Sequence, residues 1–146
     1  MNLCDIEGGN MEKYIHKVQY YETDKMGITH HSNYVRWMEE ARIDFLEKIG
    51  YGYDKLEAMG IISPVLAVEC EYKKSTTFGD VIEIEAVIRE FNGVKFAIEY
   101  EMKLAGTNTV VCRATSRHCF LGADFGPIRL KREFSEFYEA MSNNTK

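Results

Sequence analysis

The stretch YYETDKMGITHHSNY, residues 20–34, gathers residue types that could carry out acyl chemistry. Asp24 offers a carboxylate that could activate water or attack a carbonyl carbon directly. Gly27 permits a sharp or left-handed backbone turn, and His30 and His31 come just ahead of an amphipathic run. The first N–H groups of a helix lack partners and lie at the positive end of its dipole, so they can stabilise an oxyanion. This spacing suits acyl transfer or hydrolysis.

Simpler roles for the same residues stay open. Aspartate, asparagine and glycine are common in turns, so Asp24 could be a turn or capping residue. His31 could be a partly exposed loop histidine bonded to the backbone. Glu39 and Glu40, farther along the predicted helix, are competing candidate bases that also suit a surface or capping role.

One long helix is predicted to follow the loop. From Asn33 to Ile49 the apolar residues recur at three- and four-residue steps, the period of a helix that buries one stripe, and Trp37 lies on that stripe. Gly50 supplies a left-handed stop. Ahead of the loop, residues 14–20 combine aromatic and β-branched residues and predict a strand.

The second half of the chain has the period of strands. Apolar and polar residues alternate through segments 80–91 and 94–104, which predicts two strands. Segment 65–73 is a further candidate strand, and the length and β-branched content of segment 109–121 predict another long one. Asn92-Gly93 predicts a tight two-residue hairpin turn, and residues 129–141 predict a short closing helix. Because each strand has one apolar face, the strands together form a sheet with an apolar side, and the long helix must lie against that side. The predicted class is α+β, with a curved antiparallel sheet wrapped around one long central helix.

Composition limits the alternatives. The 146 residues, 45% of them hydrophobic, predict one globular domain at residues 13–141, with a flexible leader at 1–12 and a tail at 142–146. The net charge of -5 disfavours nucleic-acid binding. No apolar run is long enough to span a bilayer, so a cytoplasmic protein is expected. The four cysteines form no C-x-x-C pair, so we expect free thiols and no metal site.

Three motifs resemble a known family. YETDxxGxxxHxNY (21–34) and WMEEAR (37–42) resemble the opening motif of the 4-hydroxybenzoyl-CoA thioesterase type of hotdog-fold acyl-CoA thioesterases, which includes the acyl-CoA thioesterases linked to the Tol-Pal system. FGD (78–80), ahead of a long strand, is also similar to that family. The resemblance covers about residues 12–140.

The resemblance implies a hotdog fold, assembled as a homodimer or homotetramer with active sites at subunit interfaces. It implies hydrolysis of an acyl-CoA thioester to a free acid and coenzyme A, with no metal and no cofactor beyond the coenzyme A of the substrate. Asp24 would be the catalytic carboxylate, as base or nucleophile. The backbone N–H of His31 would polarise the thioester carbonyl, and Gly27 would shape the loop.

Lys74, Arg117 and Asn33 are the predicted substrate-binding residues. Lys74 and Arg117 are candidates for the coenzyme A phosphates by charge and position, with ordinary surface roles as the default. Lys25 and Met26 replace the small or proline residues common in the family, which leaves acyl preference open. Two other functions also stay open: an acyl-carrier-protein thioesterase, which the negative net charge disfavours, and a non-catalytic acyl-CoA binding module.

Overall fold

The computed structural model describes residues 12–146, so nearly all of the predicted leader lies outside the described part of the chain. The described strands are β1 (Tyr14–Lys17), β2 (Ile61–Ile62), β3 (Val65–Tyr72), β4 (Val81–Arg89), β5 (Lys95–Leu104), β6 (Val110–Cys119) and β7 (Leu121–Gly122). The helices are α1 (Ser32–Lys48), α2 (Tyr53–Ala58), α3 (Leu130–Glu133) and α4 (Ser135–Asn143), and a 3-10 turn covers Tyr20–Glu22. The predicted α+β class is confirmed.

Five strands form one antiparallel sheet in the order β1-β4-β5-β6-β3, and β2 pairs separately with β7. Strand β4 joins β5 through a hairpin, and a second hairpin joins β5 to β6. Strand β3, which follows β2 in the chain, forms one edge of the sheet and pairs only with β6 within it. The sheet therefore ends in an eight-residue edge strand.

Helix α1 packs on one face of the sheet because both carry matching apolar stripes. Trp37, Met38 and Leu46 of α1 are almost completely buried. They share one core with alternate residues of the central strands, such as Ile84 and Met102. Fully burying side chains of this size stabilises a fold by about 1.5 to 3 kcal/mol each. We call this the inner face of the sheet, and the opposite one the outer face.

Three predicted elements differ in detail. The first strand ends at Lys17, and the chain then enters the 3-10 turn. The hairpin between β4 and β5 has a five-residue connection, 90–94, so the two-residue turn was wrong in length. Glu90 and Gly93 both take positive φ there, while Asn92 Oδ1 accepts backbone N–H groups. The closing helix is broken at Phe134, whose backbone leaves the helical region.

The end of the chain is packed on the sheet. Thr145 forms a parallel bridge with Ile88, and the N–H of Lys146 donates to the Ile88 carbonyl at 3.0 Å. Within the predicted tail, residues 142–146, the first two belong to α4. No helix between residues 12 and 146 is long and apolar enough to cross a membrane.

Candidate functional site

The loop that carries Asp24 is closed by its own hydrogen bonds. The N–H of Asp24 donates to the Ile28 carbonyl at 2.9 Å, and the N–H of Gly27 donates to the Asp24 carbonyl at 2.9 Å. The Asp24 carboxylate accepts the N–H of Met26 through Oδ1 at 2.8 Å. Gly27 takes φ +79°, a conformation that favours glycine. The loop thus holds a half-buried carboxylate whose Oδ2 has no hydrogen-bond donor among residues 12–146.

A second set of bonds fastens this loop to the segment that follows β3. The N–H of Thr29 donates to the Thr76 carbonyl at 2.8 Å, and the two side-chain hydroxyls lie 2.6 Å apart. The Thr76 hydroxyl also lies 3.0 Å from Tyr34 Oη. Because Thr29, Tyr34 and Thr76 are all buried, this cluster fixes the loop against α1. Nothing in the sequence marked Thr76 as part of the site.

The start of α1 is fixed by Asn33. Its side-chain amide donates to the carbonyls of Glu22 at 3.0 Å and His30 at 3.2 Å, and the residue is buried. The structure therefore places this predicted substrate-binding residue under the loop, where it supports the backbone. The N–H of His30 also donates to the Glu22 carbonyl, at 2.8 Å.

The amides at the start of α1 leave one donor open. The N–H groups of Asn33 and Tyr34 donate to the carbonyls of His30 and His31, and the N–H of Ser32 donates to His30 Nδ1 at 3.3 Å. The N–H of His31 finds no acceptor between residues 12 and 146. The side chain of His31 is exposed, and its ring lies 4.3 Å from that of His30. A backbone N–H group with no other acceptor can donate a hydrogen bond to the carbonyl oxygen of a ligand.

A buried carboxylate lies two residues before Asp24. Glu22 is only 4% exposed, and it accepts hydrogen bonds from the Gln19 N–H at 2.8 Å and the Trp37 indole at 2.7 Å. His16 Nε2 lies 2.8 Å from the same carboxylate. Burial would raise the pKa of Glu22, but these hydrogen bonds outweigh it and hold that pKa below its ordinary value.

Sequence reasoning treated Glu22 only as part of a motif and Trp37 only as core. The contact between them could have been expected, because a buried indole N–H needs a hydrogen-bond acceptor in the core. His16, on the first strand, links that strand to Glu22. Its Nδ1 lies 3.3 Å from Glu40, which also accepts the hydroxyl of Tyr14 at 3.0 Å.

The two predicted phosphate-binding cations lie in different places. Lys74 is exposed in the connection after β3, two residues before Thr76, and its N–H donates to the Val111 carbonyl at 3.2 Å. Its ammonium forms no ion pair among residues 12–146. Arg117 lies on the outer face of β6, where it pairs with Glu90 at 2.6 Å. Only Lys74 is therefore linked through its own segment to the Asp24 loop.

A second polar cluster is buried between α1 and the far end of β6. The guanidinium of Arg42 lies 3.1 Å from His118 Nδ1, and His118 Nε2 lies 2.6 Å from the Ser116 hydroxyl. That hydroxyl also lies 2.8 Å from Tyr100 Oη. Burial, helped by the Arg42 charge, lowers the pKa of His118 to about 4, so its imidazole is neutral at pH 7.

The family is shown by comparison with known proteins. The sequence model of the thioesterase-like superfamily matches residues 18–142. This chain belongs to that superfamily. The predicted resemblance to hotdog-fold acyl-CoA thioesterases is confirmed, and so is the predicted enzyme class, a thioester hydrolase.

Individual relatives extend over most of the chain. YneP of Bacillus subtilis, named provisionally as an acyl-CoA thioesterase, is 33% identical over 89% of this chain and 94% of its own. A crystal structure of a DHNA-CoA thioesterase from Staphylococcus aureus superposes with a TM-score of 0.84 at 32% identity, covering 90% and 89% of the two chains. The structure of a gentisyl-coenzyme A thioesterase superposes with a TM-score of 0.77 at 27% identity, covering 89% of this chain and 99% of that chain. The predicted hotdog fold is confirmed by these neighbours.

Proposed function

We propose that this thioesterase hydrolyses acyl-CoA at the Asp24 loop, with the His31 N–H as oxyanion donor. The observation that carries the proposal is a carboxylate with an unengaged oxygen, held in a loop that runs directly into a helix start with an open N–H. The relatives named for DHNA-CoA and gentisyl-coenzyme A support coenzyme A as the carrier. Of the two predicted cations, Lys74 lies in the segment that is bonded to the Asp24 loop, which supports it as a ligand for a coenzyme A phosphate.

The chemistry needs both groups. The thioester oxygen accepts the His31 N–H, which stabilises the negative charge that develops when the carbonyl carbon is attacked. If Asp24 is the base, it removes a proton from water, the water oxygen bonds to the carbonyl carbon, and the carbon–sulfur bond breaks. If Asp24 is the nucleophile, its own oxygen displaces coenzyme A, and water then cleaves the resulting anhydride. Either route yields a carboxylic acid and a thiol.

A two-fold dimer through β3 would complete the site. β3 is an edge strand, and its apolar side chains Val65, Leu66, Val68 and Tyr72 are between 40% and 52% exposed. A long, apolar open edge is a surface on which a second strand can pair. The hydroxyl of Tyr72 donates to the His31 carbonyl at 3.4 Å, so this edge reaches the start of α1. Light scattering on the purified protein separates the dimer from the tetramer and from a monomer.

The function is tested by thiol release from short, medium, long and aromatic acyl-CoA thioesters. We expect turnover by the unmodified protein and a loss of about 100-fold or more in Asp24→Asn, because positioned acid–base groups contribute at least that much. Glu39→Gln is the matched control, since it neutralises an exposed carboxylate on α1. Equal turnover by Asp24→Asn and the unmodified protein would rule out the mechanism.

Two other functions give different results in the same assay. An acyl-carrier-protein thioesterase would release thiol faster from an acyl group on the carrier protein than from the same acyl group on coenzyme A. A binding module would retain acyl-CoA through a long incubation without releasing thiol.

A further inference from the structure

The connection between β3 and β4 is bonded to other parts of the sheet at both of its ends. At its start, the N–H of Lys74 donates to the carbonyl of Val111, on β6, at 3.2 Å. At its end, the carbonyl of Asp80 accepts the N–H of Val18, the residue after β1, at 2.8 Å. We call residues 73–80 the strap. Since both ends of the strap are fixed, a side chain near its middle has a defined position.

Thr76 is the one buried residue of the strap. Its hydroxyl lies 2.6 Å from that of Thr29 and 3.0 Å from Tyr34 Oη. Burial raises the pKa of Tyr34, so its phenol keeps its proton and can donate to Thr76. Thr76 can then donate to Thr29, whose hydroxyl lies 3.3 Å from the Thr76 carbonyl. Each of the three hydroxyl protons thus has an acceptor within the group.

The two partners of the Thr76 hydroxyl belong to the two halves of the candidate site. Thr29 directly follows the hydrogen-bonded loop that holds Asp24. Tyr34 lies in the first turn of α1, and its N–H donates to the His31 carbonyl at 3.2 Å. One hydroxyl therefore contacts both the segment with the carboxylate and the segment with the open N–H.

We propose that the Thr76 hydroxyl is a positioning group, which sets the Asp24 carboxylate against the His31 N–H and so controls the chemical step. This inference rests on the proposed function and adds to it a residue outside the reacting groups. A buried group of hydroxyls with all its hydrogen bonds formed is rigid, and a displacement of about 1 Å in a catalytic site can cost about 100-fold in rate. Binding of coenzyme A should depend little on Thr76, because Val111 holds the backbone of Lys74 separately.

The first test compares turnover and binding in Thr76→Val, which keeps the shape of the side chain and replaces the hydroxyl by a methyl group. For the acyl-CoA thioester that the unmodified protein hydrolyses fastest, kcat should fall by about tenfold or more. The dissociation constant of S-hexyl-CoA, a thioether that cannot be hydrolysed, should change by less than about twofold. Thr76→Ser restores the hydroxyl and should recover most of kcat. An unchanged kcat in Thr76→Val, a loss confined to binding, or equal losses of kcat in the valine and serine variants overturns the proposal.

A second buried phenol separates positioning from ordinary stability. Tyr100 Oη lies 2.8 Å from the Ser116 hydroxyl, much as Tyr34 Oη lies 3.0 Å from that of Thr76, and both tyrosines are 3% exposed. Tyr34→Phe and Tyr100→Phe each delete one phenolic hydroxyl from such a pair. We expect similar shifts of the urea midpoint in both and a severalfold fall of kcat in Tyr34→Phe alone. Equal falls of kcat in the two variants contradict the proposal, and Tyr34→Phe also decides it if Thr76→Val does not fold.

Amide hydrogen exchange followed by NMR gives a result that needs no turnover. The N–H groups of Asp24 and Gly27 are bonded within the loop, and that of Thr29 is bonded to the Thr76 carbonyl. In Thr76→Val these three amides should exchange about tenfold faster or more, because local opening of the loop becomes easier, while the amides of β5 keep their rates. Unchanged exchange of the three amides overturns the positioning role. Faster exchange in a protein that releases no thiol supports the positioning and refutes the proposed function alone.

Discussion

The indole N–H of Trp37 donates to Glu22 Oε2 at 2.7 Å, inside the core. This bond joins the second turn of α1 to the residue two positions before Asp24. Because Glu22 also accepts the Gln19 N–H and its carbonyl accepts the Asn33 amide, one residue fixes both ends of the loop. The position of the candidate catalytic carboxylate therefore depends on a second carboxylate, which is buried in the core.

Glu22→Gln should reduce both stability and turnover. The glutamine amide places an N–H group where the carboxylate accepted donors from Gln19 and Trp37, and one buried donor then loses its acceptor. Losing a buried hydrogen bond to a charged group costs about 1.5 to 3 kcal/mol. Urea unfolding and thiol release measure the two effects. Glu39→Gln should change neither, and a Glu22→Gln protein of unchanged stability would show that the network contributes little.

Gly27→Ala should lower turnover at a small cost in stability. The added methyl group meets no atom within 4 Å, so the only cost is the positive φ of +79°, about 1 kcal/mol. Gly106→Ala is a matched control, because Gly106 has φ +74°, equally open surroundings, and a place in the turn between β5 and β6. We expect equal losses in the urea midpoint and a loss of thiol release in Gly27→Ala alone. Equal turnover in the two variants would mean that the loop conformation does not limit catalysis.

Stability should fall in acid because of His118. Its folded pKa of about 4 is below the ordinary value of 6.5, so between these values the unfolded chain binds a proton that the folded chain does not. The free energy of unfolding should therefore drop by about 3 kcal/mol from pH 7 to pH 4 and, for this group, no further below. Glu22 adds a separate loss below pH 4.5, as its lowered pKa is passed. Urea unfolding of His118→Gln should lack the first loss, and an unchanged slope between pH 6.5 and pH 4 would contradict the assignment.

The role of Asp24 is accessible to a single-turnover experiment. If Asp24 is the nucleophile, hydroxylamine added during turnover should attack the Asp24 carbonyl of the anhydride, releasing the carboxylic acid and leaving a hydroxamate on Asp24 that mass spectrometry of the protein would show. If Asp24 is the base, oxygen from heavy-oxygen-labelled water should enter the product acid and never Asp24. This result should be the same after one turnover and after many. The label found in Asp24 after one turnover excludes the base mechanism.

Periodicity predicted the elements that bury large apolar stripes. The helix around Trp37 and the strands around Ile84 and Met102 have one dry face each, and burial of that face leaves few alternatives. Connections were predicted less well. The hairpin at Asn92-Gly93 has a five-residue connection because Asn92 Oδ1 accepts the N–H groups of Val94 and Lys95, and Glu90 also takes positive φ. A dipeptide preference cannot anticipate such side-chain contacts.

The site was predictable only in part, for a related reason. Asp24, Gly27 and His31 lie within eight residues, so a local motif can indicate them. Thr76 and Arg42 come to their places through strand pairing and helix packing, and neither has a local pattern that indicates a polar contact. Glu22 lies between these two cases. Its hydrogen-bond partner Trp37 is close in sequence, but the burial of Glu22 follows from the tertiary fold.

If the open edge of β3 pairs two copies of the chain, as proposed above, stability and activity depend on protein concentration by mass action. A chain that completes its sheet and its site only by pairing has a melting temperature that rises with protein concentration, because the folded state gains from each association. Its specific activity should likewise decline on dilution, and the decline should follow the dissociation constant of the dimer. Exposed apolar residues that look like a defect in one chain would then let the amount of protein present control its catalysis.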